Sequence, residues 1–261
     1  MTYQPILPTG GYTGWKFLQR TLPKQQEAFR NSAPVQRATD YFRANIAKAK
    51  TAADLVNDRR LLQVALGAFG LKDDLNSKAF IQRVLEGGTL KPDALANRLA
   101  DKRYKAMAQE FGYGDLGART GLPGFADKIV ARYEARAFQE AVGETNGTMR
   151  LALNVDGAIK DIVARTSNAN AQWFSMMGEA PLRQVFQTAL GLPSSFGALD
   201  VDRQLATFKE RAQAVLGTDK LSDLADPARQ DKLVRLFLMR SDMQSSSSSP
   251  GALVLQLLQR R

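Results

Sequence analysis

The chain has no cysteine and no histidine. The first absence excludes disulfides, thiolate nucleophiles and cysteine-bound metal. The second removes the commonest general base, the commonest transition-metal ligand and the side chain that titrates near neutral pH. Carboxylate, lysine or tyrosine catalysis and hard-cation sites made of oxygen ligands survive both exclusions. Also missing are the alternating runs of Val, Ile and Thr that a strand requires. No window approaches the ~18 apolar residues of a membrane span. Met1 to Gly14 lacks a charged stretch followed by an apolar one, so a Sec-type signal peptide is not expected.

What is present is ordinary globular material: 261 residues, 44% hydrophobic and 24% charged. The net charge is +10, and residues 1–50 carry much of it, with eight Lys/Arg against two acids. Such an arm attracts nucleic acid, anionic lipid or an acidic protein face; a solvated helix face is the plainer reading.

Ala, Leu, Gln, Arg and Lys, all good helix formers, dominate. Trp15, Phe17, Leu18 and Leu22 form an apolar cluster near a helical start, and Pro23 is expected only near a helix N-terminus. Thr51 and Asp54 fit a capping box. Leu62, Leu66 and Phe69 line one face of a helix that Gly70 ends. Asn76 or Ser77 suits the cap of a helix running to Gly87-Gly88, Pro92 suits a first helical position, and Asp101 suits the cap of a helix ending at Gly112. A glycine-rich loop from Gly112 to Gly124 precedes a long helical stretch, which Gly143 and Gly147 are placed to kink or divide.

The two flanks of that stretch resemble each other. Leu61-Leu62-Gln63-Val64-Ala65-Leu66-Gly67-Ala68-Phe69-Gly70-Leu71 is matched 121 residues later by Leu182-Arg183-Gln184-Val185-Phe186-Gln187-Thr188-Ala189-Leu190-Gly191-Leu192. Leu99-Ala100-Asp101 returns 125 residues later as Leu224-Ala225-Asp226. Two copies are too few for a solenoid. The expected fold is all-α, with two similar helical units flanking a central long helical region in a pseudo-two-fold internal repeat. The segments read as a basic N-terminal helical arm (1–50), a first helical repeat (51–115), a central helical spine (116–170) and a second helical repeat (171–244). Residues 245–261 follow as a Ser-rich linker, Ser245 to Ser249, and an apolar tail. That tail, with Leu253, Leu255, Leu257 and Leu258, needs a docking place on its own body, a partner or a sister subunit.

The whole chain resembles a family of alphaproteobacterial proteins of unknown function whose members are often encoded with flagellar genes. The match rests on Gly14-Trp15-Lys16-Phe17-Leu18, Thr39-Asp40-Tyr41-Phe42, and Asn57-Asp58-Arg59-Arg60-Leu61-Leu62 running to Ala68-Phe69-Gly70-Leu71. It continues through Asn97-Arg98-Leu99-Ala100-Asp101, Arg103-Tyr104, Phe138 through Val142-Gly143-Glu144, Met149-Arg150-Leu151-Ala152-Leu153-Asn154 and the tail from Ala252 to Leu258. The resemblance implies a structural, assembly or export-related role at the flagellum, and it supplies no catalytic residues. A cytoplasmic or flagellum-associated location fits it.

Asn57-Asp58 and Asp101 beside Arg103 read as helix caps and local ion pairs rather than catalytic groups. Asp73-Asp74 near Asn76 lacks the glycine-containing loop and closing Glu of an EF-hand. Gly10-Gly11 to Gly14 lacks the Gly-Lys-Ser/Thr of a phosphate loop. No catalytic, cofactor or metal residue is therefore expected, and the chain reads as a non-enzymatic protein. Candidate partner contacts are Trp15, Phe17, Leu18, Leu253, Leu255, Leu257 and Leu258, toward protein partners such as flagellar components or a second copy. Trp15, Trp173 and Phe174 suit a partner anchor and a core position equally. A nucleic-acid-binding regulator using the basic arm is the alternative, although no dense Lys/Arg helix face supports it.

Overall fold

The computed structural model describes residues 3–247, with side chains to 245. The described residues are all-helical, with thirteen α-helices in chain order. They are α1 (Gly11–Arg30), α2 (Ala33–Asn45), α3 (Ala52–Asn57), α4 (Arg59–Phe69), α5 (Lys78–Gly87), α6 (Leu95–Arg98) and α7 (Lys102–Phe111). Then come α8 (Phe125–Thr145), α9 (Gly147–Arg165), α10 (Ala169–Gly178), α11 (Ala180–Ala189), α12 (Val201–Leu216) and α13 (Pro227–Ser247). Packing groups them into two compact units. One holds 3–5 and Leu22–Ala141; the other holds Ile6–Thr21 and 142–247. The division passes through α1 and through α8.

The first unit is built by its helix ends. Thr51 and Asp54 make the expected reciprocal capping box on α3. Asp58 ends α3 and caps α4, accepting from the Arg60 and Leu61 amides at 2.9 and 3.1 Å. At the far end of α4, Gly70 has φ +71°, and the Leu71 amide reaches back to the Leu66 carbonyl at 2.9 Å. The core of this unit joins Phe42, Leu62, Leu66, Phe69, Ile81 and Phe111. Each such side chain, fully buried, contributes about 1.5–3 kcal/mol.

The second unit packs around Trp173. Its ring meets Phe186 edge-on at 5.6 Å and stacks on Phe208 at 6.2 Å, while its indole N–H donates to the Asp219 carbonyl at 2.8 Å. Trp173 is thus core, while Phe174 next to it is exposed. Here Glu179 stands between α10 and α11, as Asp58 stands between α3 and α4. The turn after α11 has Gly191 at φ +68° and a Leu192 amide bonded to the Gln187 carbonyl at 2.9 Å. A short 3-10 segment and then a helix follow each glycine.

Three expectations are corrected. Pro23 lies inside α1, not near its start. Both Pro23 and Gln19, whose carbonyl loses its amide partner there, face solvent, so water satisfies the bond that proline removes. Pro92 sits in a turn, and α6 begins only at Leu95. The long central stretch divides at Gly147 as expected, where α9 begins and the Asn146 side chain caps it through the Met149 amide at 3.0 Å, but Gly143, the other expected break, runs on inside α8.

Gly70→Ala and Gly191→Ala place a Cβ in the left-handed region. Each is expected to cost about 1–2 kcal/mol, read as a lowered urea midpoint followed by circular dichroism.

Candidate interaction surface

The N-terminal candidates turn out to be part of the fold. Trp15 and Leu18 are buried, and Phe17 is half-buried with the Arg20 guanidinium 5.8 Å from its ring centroid. In this arrangement the first half of α1 lies against its own unit, so these side chains pack within the chain. Tyr12 and Lys16 both donate to Asp231 on α13, at 2.8 and 2.6 Å. Burial works against the Asp231 charge, but these two bonds outweigh it and hold the carboxyl below its ordinary range. Part of the arm's positive charge is therefore paired locally; Arg43 likewise meets Asp127 at 2.9 Å. The tail candidates Leu253, Leu255, Leu257 and Leu258 lie outside the described residues.

The acidic candidates act as caps. Asp101 accepts from the Arg103 amide at 2.9 Å, and the Arg103 side chain, bonded to it, holds its carboxyl below the usual range. The same guanidinium donates to the Gly70 carbonyl. Asp74 accepts from the Tyr104 hydroxyl at 2.7 Å; burial, then this carboxylate, pushes the phenol up to about 12. Tyr41 donates to Asp58 at 2.6 Å with Arg60 stacked 3.6 Å from its ring centroid. A cavity of about 100 Å³ is lined by Gln26, Arg30, Glu134 and Phe138. Burial raises the Glu134 carboxyl, and Arg43 and Arg30 pull it back. Among the described residues, no group of three or more acids is arranged to hold a metal ion.

What the sequence reading missed is a fixed loop pair that displays leucine. Leu90 is 67% exposed and Leu116 is 85% exposed. Between them lies Asp115, which accepts from the Thr89 amide at 2.6 Å, the Thr89 hydroxyl at 3.0 Å and the Leu90 amide at 3.1 Å. Asn97 adds bonds to the Thr89 and Lys91 carbonyls at 2.9 and 2.7 Å. Gly88 has φ +62°, and a Cβ at Gly114 would overlap the Glu86 carbonyl and the Gly88 nitrogen, so the two loops touch backbone to backbone. The exposed neighbours Lys91, Asp93 and Arg119 carry both signs of charge. A leucine inside a Gly/Pro-rich loop was the only available sequence signal. On α13, Met239 and Met243 are also exposed, one helical turn apart.

Residues 68–229 match a family model described as a protein of unknown function, DUF1217. The chain belongs to that family. The match contains the leucine-bearing loops and stops within the first residues of α13. The crystal structure of protein AGR_C_984 from Agrobacterium tumefaciens, an alphaproteobacterium, is similar to this chain. It is 28% identical with a TM-score of 0.73, and the likeness covers 92% of this chain and 99% of that one. No curated protein matches. Among the described residues, no helix is long and apolar enough to cross a membrane.

Asp115→Ala leaves three donors without their acceptor and is expected to cost about 1–3 kcal/mol. Burial raises the Asp115 carboxyl, but bonds from Thr89 and Leu90 more than offset it, so the folded value is lowered. Its contribution is therefore present above the unfolded value of about 3.9 and lost as pH falls through the folded one. The stability gap between parent and variant, from urea titrations at several pH values, should close below about pH 4.

Proposed function

We propose that this protein is a non-enzymatic, flagellum-associated structural, assembly or export-related component that works through protein–protein contacts. The observation that carries the contact role is the pair Leu90 and Leu116, exposed on loops that Asp115 holds in place. Exposed leucine on a mobile loop would dock at the cost of ordering that loop; here most of that ordering is already done. The mixed charges of Lys91, Asp93 and Arg119 around it fit the rim of another protein better than a uniformly anionic lipid or nucleic-acid surface. The flagellar assignment rests on the resemblance carried by Gly14 to Leu18, Asn57 to Leu71 and Met149 to Asn154. We also propose that 51–115 and 171–244 are duplicated copies, which the matching order of helix, left-handed glycine, 3-10 segment and helix supports.

Deleting the gene should impair swimming, and a Leu90→Ser, Leu116→Ser chain should fail to restore it while unfolding at the parent's temperature. Normal swimming with normal hook and filament in the deletion strain would refute the flagellar assignment. Full restoration by the double variant would refute the leucine contact.

A further inference from the structure

In each unit one helix lies across two others. In the first unit α8 does so: Phe125 packs edge-on to Phe111 at 5.2 Å, Lys128 pairs with Glu110 of α7 at 2.6 Å, and Asp127 pairs with Arg43 of α2 at 2.9 Å. That helix follows α7 in the chain, after the lead-in Pro123-Gly124. In the second unit the corresponding pair is α13 and α9, and the helix across them is the first half of α1. Gly11 abuts Asp242 near the end of α13, Lys16 meets Asp231 a few turns earlier, and Gly14 approaches Met149 of α9 so closely that a Cβ would lie 3.2 Å from its methyl carbon. Both crossing helices start beside the C-terminal end of their neighbour, α7 or α13.

The chain that follows α13 carries its own Pro-Gly lead-in, Pro250-Gly251, and then the apolar Ala252-Leu253-Val254-Leu255 with Leu257 and Leu258. By order along the chain this segment, not α1, is the second unit's counterpart of α8. Four residues separate Ser247 from Ala252, a reach of roughly 16 Å at full extension, and the seat opens only five positions back, beside Asp242. The occupant now in the seat fits it imperfectly. The Trp15 indole N–H is buried there without an acceptor.

We propose that the seat on α9 and α13 is a binding surface for the chain's own segment 252–258, and that this segment and α1 residues 11–21 are alternative occupants of it. Apolar side chains that would otherwise meet water are covered by this docking. When the segment is seated, the first half of α1, with Trp15, Phe17 and Leu18, is released and becomes available to a partner.

Hydrogen–deuterium exchange of the α1 amides at 11–21 reads the competition directly. In a chain ending after Ser247, which keeps every described residue, these amides should exchange several-fold more slowly than in the full chain. Adding a synthetic peptide of residues 250–261 should restore the faster rate in a saturable way. The full chain with Leu253→Asn, Leu255→Asn, Leu257→Asn and Leu258→Asn should behave like the shortened one. Exchange at α8 residues 125–135 should stay the same throughout. Equal exchange at 11–21 in all chains, with no response to the peptide, overturns the proposal. A rate in the full chain that rises with protein concentration overturns the in-cis assignment in favour of a second copy's tail. Motility is not read here, so this inference and the flagellar assignment fail separately.

Discussion

The left-handed turn at Gly70 is the constraint on which the first unit depends. An α-helix leaves its last four carbonyls without intrahelical donors, and a buried end must find them elsewhere. At Gly70 the chain supplies one by bending back, so that the Leu71 amide meets the Leu66 carbonyl, and a second through Arg103, which donates to the Gly70 carbonyl itself. Arg103 sits in the first turn of α7, so ending α4 also fixes where α7 begins. Asp101 holds the same guanidinium, and the neighbouring Tyr104 hydroxyl reaches Asp74 in the segment just after the turn. The Arg132 guanidinium lies 4.7 Å from the Phe69 ring centroid, which ties α8 to the same corner. The second unit meets its equivalent problem with Arg240, which donates to the Ala189 carbonyl at 2.5 Å beside Gly191.

These corners explain which features were legible in the sequence. Capping is local: Thr51 with Asp54, Asp58, Asp101, Gly70 and Gly112 each act on a backbone group within a few residues, so residue type and spacing suffice to read them. Pro23 misled because the rule against proline in a helix supposes that the orphaned carbonyl is buried; at Gln19 it is wet. Trp15 and Leu18 could not be placed from the sequence because an apolar face reads the same whether another protein or the chain's own distant helices cover it. The cover that the chain itself supplies is fixed by pairing with Asp231, more than two hundred positions away, which no local pattern reveals. Leu90 and Leu116 were hidden for the converse reason. Their fixity comes from Asp115 and from the absent side chain of Gly114, and neither carries a periodic signal.

The charge distribution changes meaning in the same way. As a sequence, residues 1–50 form a basic arm. As a structure, Lys16 and Arg43 each meet an acid supplied from far along the chain. Exposed pairs of this kind add little stability, typically under about 1 kcal/mol. They fix where helices lie more than they hold the units together, and they lower the charge left to attract a polyanion.

An interaction surface must also meet an energetic requirement. Covering two leucines as exposed as Leu90 and Leu116 yields at most about 3–6 kcal/mol, while association in solution costs an estimated 4–15 kcal/mol. The pair cannot hold a partner alone. It can act as the central anchor of a larger contact, of the order of 1,000 Å² or more, whose polar rim excludes water. Lys91, Asp93 and Arg119 stand where such a rim would lie. An anchor that projects from a frame already hydrogen-bonded in the unbound protein loses less entropy on docking, so the three bonds to Asp115 serve affinity as well as stability. The same reasoning applies to Met239 and Met243 on α13. Their helix is preformed, but two flexible thioether side chains make a weaker and less selective anchor than two leucines on a fixed loop.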